Sequence, residues 1–148
     1  MKRQLSQWGL LLLYMGIIFL GSSLSGGGKR LFLFAPDIFW HGIEYAILGF
    51  LLYRFLRFQR PTASFHLLWL GAWLGGSLYG ATDEFHQYFV PNRHMSAKDW
   101  AADTIGTAIG GGLAALGYYS FSRLAKSGPL PEASSDASIP PIRNNSME

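Results

Sequence analysis

Carboxylates, imidazoles and a guanidinium are concentrated in one short stretch of the sequence, residues 83–103. The side chains there that could do chemistry are Asp83, Glu84, His86, Gln87, Arg93, Asp99 and Asp103. Glycine-rich apolar segments precede and follow the stretch. Charges at the edge of a membrane are costly, so a cluster of them between apolar segments predicts a functional site.

A second pair of polar residues, His41 and Glu44, lies upstream, followed by Tyr45. These residues fall in the first two turns of another apolar segment. Residues 83–103 connect the end of one apolar segment to the start of the next, so the two groups are expected at the same depth in the membrane. Separate segments are therefore expected to bring acids and imidazoles to one level. Periodicity places Asp83 and Gln87 on one helical face, and Asp99 and Asp103 on another.

Composition indicates a membrane protein rather than a soluble domain. The 148 residues are 49% hydrophobic and 14% charged, against roughly 25% charged in average soluble proteins. The net charge is +3, and the basic residues flank apolar segments rather than forming a stripe, which argues against nucleic-acid binding. The absence of cysteine excludes disulfides, thiolate catalysis and zinc–thiolate sites.

Four apolar segments must position these groups. They cover residues 8–24, 38–56, 65–81 and 100–121, each close to the length that crosses a bilayer as a helix. The sequence thus predicts an all-α integral membrane protein, a four-transmembrane-helix bundle over residues 1–126 with a disordered tail at 127–148. The first segment also has features of a signal peptide; a retained helix is favoured because its length can span and no Ala-x-Ala site follows.

Basic residues predict the orientation. Eight of the twelve lie on the face that would hold both termini: Lys2, Arg3, Arg54, Arg57, Arg60, Arg123, Lys126 and Arg143. Both termini are therefore expected in the cytoplasm of a multi-pass cell-membrane protein, with residues 83–103 facing outward.

Glycines at four-residue spacing predict close helix packing, because small residues let backbones approach in lipid. Such pairs occur in the third and fourth segments, at Gly71/Gly75, Gly76/Gly80 and Gly106/Gly110. A tight hairpin of these two helices is expected, turning at Pro91-Asn92, and the helices could also form oligomers.

Several of the polar residues also have purely structural interpretations. Ser96 and Asp99 fit a capping box at the start of the fourth helix. Arg93 could form a structural salt bridge with Glu84 or Asp99, and His41 and Glu44 could make a polar contact to a neighbouring helix. Asp103 lies one turn deeper and must be protonated, paired or hydrated.

The order and spacing of these residues resemble the signature of the VanZ-like family. The matching elements are Glu84-Phe85-His86-Gln87, Pro91, Arg93, Ser96, Asp99, a helix containing Gly106, and upstream His41, Glu44, Tyr45, Leu48 and Gly49. The resemblance runs from Trp8 to about Phe121 and implies a small multi-spanning membrane protein. The namesake is associated with resistance to the glycopeptide teicoplanin. One departure is Asp103, where the family usually has asparagine.

Three functions fit these features. The favoured one is a non-catalytic protein whose outward pocket binds an amphiphile: a membrane lipid, a lipid-linked cell-wall intermediate or a lipophilic glycopeptide, with Arg93 on an anionic group. A membrane-edge hydrolase or transferase would use Glu84, His86 and Asp99, with or without a divalent metal, although no recognised metal signature is present. A proton or ion relay would use His41, Glu44, His86 and Asp103. No cofactor and no metal ligand are predicted, and antibiotic susceptibility is the expected phenotype.

Overall fold

The computed structural model describes residues 2–24 and 37–126. These residues form helices α1 (Lys2–Ser23), α2 (Asp37–Gln59), α3 (Phe65–Gln87) and α4 (Ala97–Lys126). They contain no strand, so the predicted all-α class is confirmed. The predicted disordered tail, residues 127–148, lies outside the described residues.

One helix of the described residues meets the length and composition needed to cross a membrane. In α1, residues Gln4–Ser23 are long and apolar enough to cross a membrane. Helices α2, α3 and α4, which also carry ionisable residues, do not meet the same criterion of length and composition. The number of helices agrees with the prediction, and spanning by α2, α3 and α4 stays a prediction.

Contacts between helix ends fix an alternating up-and-down arrangement. Ser23 Oγ, in the last turn of α1, lies 3.0 Å from Nε2 of His86 near the end of α3. His41 Nδ1, in the first turns of α2, lies 3.1 Å from Oδ1 of Asp103 near the start of α4. The ends of α1 and α3 and the starts of α2 and α4 therefore meet at one end of the bundle.

The closest helix approach is between α2 and α4, and glycine makes it possible. A β-carbon at Gly106 would collide with the backbone of Gly42, and one at Gly110 would collide with the backbone of Ala46. The predicted glycine pair of α4 therefore faces α2, whereas the sequence had suggested α3 as its partner.

The two predicted glycine pairs of α3 differ in what they face. Gly76 and Gly80 face α4, and a β-carbon at Gly80 would come within 3.0 Å of the Asp103 side chain. Gly71 lies near a leucine of α2, and a β-carbon at Gly75 would meet no atom within 4 Å. The α3–α4 contact therefore uses the second pair only.

The interior of the bundle holds both apolar and polar side chains, and large apolar side chains also cover much of its outside. The buried polar side chains include Asp83, Glu84, Gln87, Asp103 and Thr107. Long apolar side chains point outward in rows along α3 and α4, among them Leu67, Leu74, Leu78, Ile105, Ile109, Leu113 and Leu116. Such rows of exposed apolar side chains, together with buried carboxylates, are unusual in a soluble helical domain.

Candidate functional site

The bundle end where the four helices meet holds a group of ionisable and amide side chains, called here the helix-end polar cluster. Its members come from α2, α3 and α4: His41, Asp83, Glu84, Gln87, Asp99 and Asp103. Asp83, Glu84, Gln87 and Asp103 are at most 3% exposed. Burial of ionisable groups is costly unless they are paired, protonated or bound to a cation.

His41 and Asp103 form the innermost pair of the cluster. Their Nδ1–Oδ1 distance is 3.1 Å, and the Asp103 side chain is fully buried. An ionised Asp103 can only accept, so the imidazole donates to it through Nδ1; in the neutral form of the ring, Nε2 then carries the lone pair. The second carboxylate oxygen of Asp103, Oδ2, is buried with no hydrogen-bond partner in the described part of the chain.

Glu84 joins the end of α3 to the start of α4. Its Oε2 accepts a 2.6 Å hydrogen bond from the backbone N–H of Ser96. Ser96 Oγ in turn accepts from the backbone N–H of Asp99 at 3.2 Å, which confirms the predicted capping role of the serine. In a capping box the carboxylate three residues after the cap would accept the cap N–H. Glu84 takes that place here, which leaves the Asp99 carboxylate available for another partner.

Ser96→Ala tests the cap directly. The variant keeps the backbone N–H that Glu84 accepts but loses the oxygen that accepts from Asp99, so it should lower the unfolding free energy by about 1 kcal/mol. Thermal unfolding of the detergent-solubilised protein, followed by circular dichroism, measures the effect. Ser122→Ala is the control, since Ser122 bonds only to a carbonyl of its own helix; equal stability of the two variants would contradict the capping role.

Asp83 and Gln87 are linked along one face of α3. Gln87 Nε2 donates to Asp83 Oδ2 at 3.1 Å, whereas Asp83 Oδ1 is buried and has no hydrogen-bond partner among the described residues. Glu84 Oε1 and the hydroxyl of the fully buried Tyr45 also have no hydrogen-bond partner among the described residues. Buried polar atoms without partners typically cost about 1–3 kcal/mol each, so the cluster has unfilled hydrogen-bonding capacity.

Three members of the cluster have the geometry of a metal-binding set. One ligand atom each from His41, Glu84 and Asp99 lie within 4.8 Å of one another. The sequence predicted no metal ligands, because these residues are 43 and 15 positions apart and match no compact signature. Only the packing of α2, α3 and α4 brings them together.

Arg93 lies at the same end of the bundle, in the turn between α3 and α4. The turn is closed by a 3.1 Å bond from the Arg93 N–H to the carbonyl of Val90, and Asn92 adopts the left-handed conformation with φ 62°. Arg93 Nη2 donates to the carbonyl of Gly21 at 3.4 Å. Within residues 2–24 and 37–126 no carboxylate forms a salt bridge with Arg93, so the predicted salt bridge to Glu84 or Asp99 is not formed; Arg93 contacts the Gly21 carbonyl instead.

The remaining predicted residues lie around the cluster rather than within it. His86 packs on α1, with its ring centroid 4.4 Å from that of Phe19, and so faces away from Glu84 as their two-residue separation requires. Glu44 is exposed on α2, and Pro91 is exposed in the turn. An acid–base pair of Glu84 with His86 is therefore not brought together.

Helix α1 contributes to this end of the bundle, which the sequence reasoning did not foresee. The carbonyl of Gly21 accepts from Arg93, and Ser23 contacts His86. The small residues that end the first apolar segment, Gly21-Ser22-Ser23, are the sequence feature that coincides with this contact, and small residues are also typical of the end of a signal peptide.

Comparison with known protein families identifies a match over most of the chain. A family model described as VanZ/LLP1 matches residues 7–118, a range that includes the whole helix-end polar cluster. No curated protein and no solved structure matches the chain.

Proposed function

The chain belongs to the VanZ/LLP1 family, and from that premise we propose that it is a membrane protein whose helix-end polar cluster binds the head group of an amphiphile. The observation that carries the proposal is the buried, incompletely hydrogen-bonded cluster at one end of a bundle with an apolar exterior. Such a site would receive a polar head while the exterior lies in lipid.

The apolar exterior supports a place in the cell membrane. Leu74, Leu78, Ile105 and Leu113 are each more than half exposed, and soluble monomers rarely expose contiguous apolar surface on this scale. In a bilayer these side chains would face acyl chains. All four helices would then span, with both termini in the cytoplasm and the cluster on the outer side, as the distribution of lysine and arginine favours.

The unfilled atoms of the cluster define the head group that would fit. Asp83 Oδ1, Glu84 Oε1 and Asp103 Oδ2 are acceptors that lack donors, so they suit hydroxyl or amino groups. Arg93, whose Nε is buried without a partner within the described residues, suits an anionic group such as a phosphate. A head group that carries both is found in membrane lipids and lipid-linked cell-wall intermediates, and lipophilic glycopeptides offer related chemistry.

Exposed aromatic residues at this end would flank the apolar part of the ligand. Tyr88 and Phe89, which follow α3 directly, are 67% and 65% exposed, and Trp100 in the first turn of α4 is 43% exposed. Tyrosine and tryptophan favour the level of lipid head groups. The polar cluster and these rings together would hold an amphiphile at the membrane surface.

Arg93→Ala tests the proposal. The variant should lose retained amphiphile, because it removes the guanidinium that the described residues place at this end of the bundle, while the helix-end contacts of Glu84 and Ser96 stay in place. Native mass spectrometry of protein extracted in mild detergent measures the retained molecules. In cells, a deletion strain complemented with the variant should behave like the deletion in glycopeptide susceptibility and surface-lipid composition.

Arg60→Ala is the matched control. Arg60 is exposed just beyond the end of α2, at the opposite end of the bundle, so this variant should retain both the amphiphile and the cellular phenotype at unchanged membrane abundance. Full retention by Arg93→Ala would contradict the proposed site.

A further inference from the structure

We infer that the helix-end polar cluster contains a divalent-cation site whose ligands are His41, Glu84 and Asp99. One potential ligand atom from each lies within 4.8 Å of the other two. Ligand atoms around one transition-metal ion lie about 2.0–2.3 Å from it, and hence about 3–4.5 Å from each other. The three side chains are already near this spacing, and small rotamer adjustments would complete it.

A second observation points to the same place. Glu84 is 3% exposed, and its Oε1 has no hydrogen-bond partner in the described residues. The other oxygen of this carboxylate is held by the N–H of Ser96 at 2.6 Å, so the side chain is fixed with one atom unoccupied. A buried carboxylate oxygen without a donor is costly, and a cation would remove that cost.

The imidazole of His41 is oriented for metal binding by Asp103. Its Nδ1 is engaged by Asp103 Oδ1 at 3.1 Å, so Nε2 is the nitrogen available to a cation. A carboxylate that holds the second nitrogen of a metal-bound histidine is a common arrangement, because it fixes the tautomer and raises the basicity of the ligand. Asp103 is thus a positioning residue for the site.

The carboxylate of the third ligand, Asp99, does not take part in capping helix α4. Ser96 donates its N–H to Glu84 rather than to Asp99, so the Asp99 carboxylate is not consumed by the cap. Asp99 is half-buried beside the open end of the bundle. The three ligands come from three different helices, so a bound cation would tie α2, α3 and α4 together.

The donor set selects the class of cation. One imidazole and two carboxylates suit first-row divalent ions such as Mn²⁺ and Zn²⁺. The same ligands suit Ca²⁺ and Mg²⁺ less well, because those ions prefer sites made of oxygen atoms alone. Three protein ligands leave coordination positions open to water or to an oxygen of another molecule. The inference does not depend on which amphiphile the protein binds.

Titration of the full-length chain in detergent micelles tests the site. Protein stripped with a chelator and returned to chelator-free buffer should bind one equivalent of Mn²⁺ or Zn²⁺ by isothermal titration calorimetry. Glu84→Gln and Asp99→Asn should each weaken binding by at least about tenfold, the lower bound seen when even supporting residues of a metal site are altered. Pulsed electron paramagnetic resonance of the Mn²⁺ form should show coupling to a nitrogen that His41→Ala removes.

Arg60→Ala is the control, since Arg60 is exposed at the opposite end of the bundle and is not one of the three ligands; its affinity should equal that of the parent. Failure of the parent protein to bind either ion at millimolar concentration would overturn the inference, as would equal losses in Arg60→Ala and Asp99→Asn. If Asp99→Asn loses the circular dichroism of a helical protein, its affinity is not informative. The affinity of Glu84→Gln and the nitrogen coupling in the Mn²⁺ form of the parent then test the site. Amphiphile retention, measured on chelator-treated protein, reports separately on the proposed function.

Discussion

Gly110→Ala is expected to lower the unfolding free energy by about 3 kcal/mol or more. Inserting one methyl group into a well-packed interior costs typically about 1–3 kcal/mol when neighbouring side chains can move. At Gly110 the new β-carbon would collide with the carbonyl group of Ala46, and a helix backbone cannot give way as a side chain can. Helices α2 and α4 would have to separate, and with them His41 and Asp103.

The same helix supplies a control with the opposite expected sign. A β-carbon at Gly117 would meet no atom within 4 Å, so Gly117→Ala should gain about 1 kcal/mol from helix propensity alone. Thermal unfolding of both variants in detergent, monitored by circular dichroism, gives the comparison. A Gly110→Ala protein as stable as Gly117→Ala would contradict the close α2–α4 approach.

The glycine pattern shows what sequence periodicity can and cannot provide. Spacing of four residues correctly places Gly106 and Gly110 on one face of α4, since the period of the helix fixes that relation. It does not identify the facing helix, because any helix with small residues could pack there. Gly42 and Ala46 of α2, which were not recognised as small packing residues, turned out to be the partners.

The polar site was predictable in its location and not in its connections. Residues 41 and 83–103 fall at the ends of apolar segments, and an alternating bundle must bring such ends together. The bond from Ser96 to Glu84 was not predictable, because the local rule assigns that N–H to Asp99. A contact between helices overrode the local one, and this exchange is what leaves Asp99 near His41 and Glu84.

Membrane character illustrates a different limit. Among the described helices, length and composition alone identify only α1 as able to cross a membrane. The three-dimensional distribution adds information that the average cannot hold: Leu78 is 68% exposed while Asp103 on the neighbouring helix is fully buried. The exposure of apolar side chains on the outside of the bundle therefore supports membrane insertion better than the mean hydropathy of each helix does.

Asp103→Ala is expected to lower the unfolding free energy by about 3 kcal/mol, and comparison with Asp103→Asn identifies the reason. Alanine leaves the half-buried His41 Nδ1–H without its acceptor and creates a cavity at a fully buried position. Asparagine, which the family resemblance implies at this place, keeps the shape and an acceptor oxygen, so Asp103→Asn should lose less than about 1 kcal/mol.

Thermal unfolding of the two Asp103 variants in detergent measures this difference, with Asp99→Asn as a half-buried carboxylate control on the same helix. If Asp103→Asn unfolds as readily as Asp103→Ala, the negative charge is required rather than the hydrogen bond. The His41 ring would then be a cation in an ion pair, with no lone pair on Nε2 to offer a metal. Retained stability of Asp103→Asn would instead mean that a neutral imidazole is held in place by an acceptor, which is the state that can bind a cation.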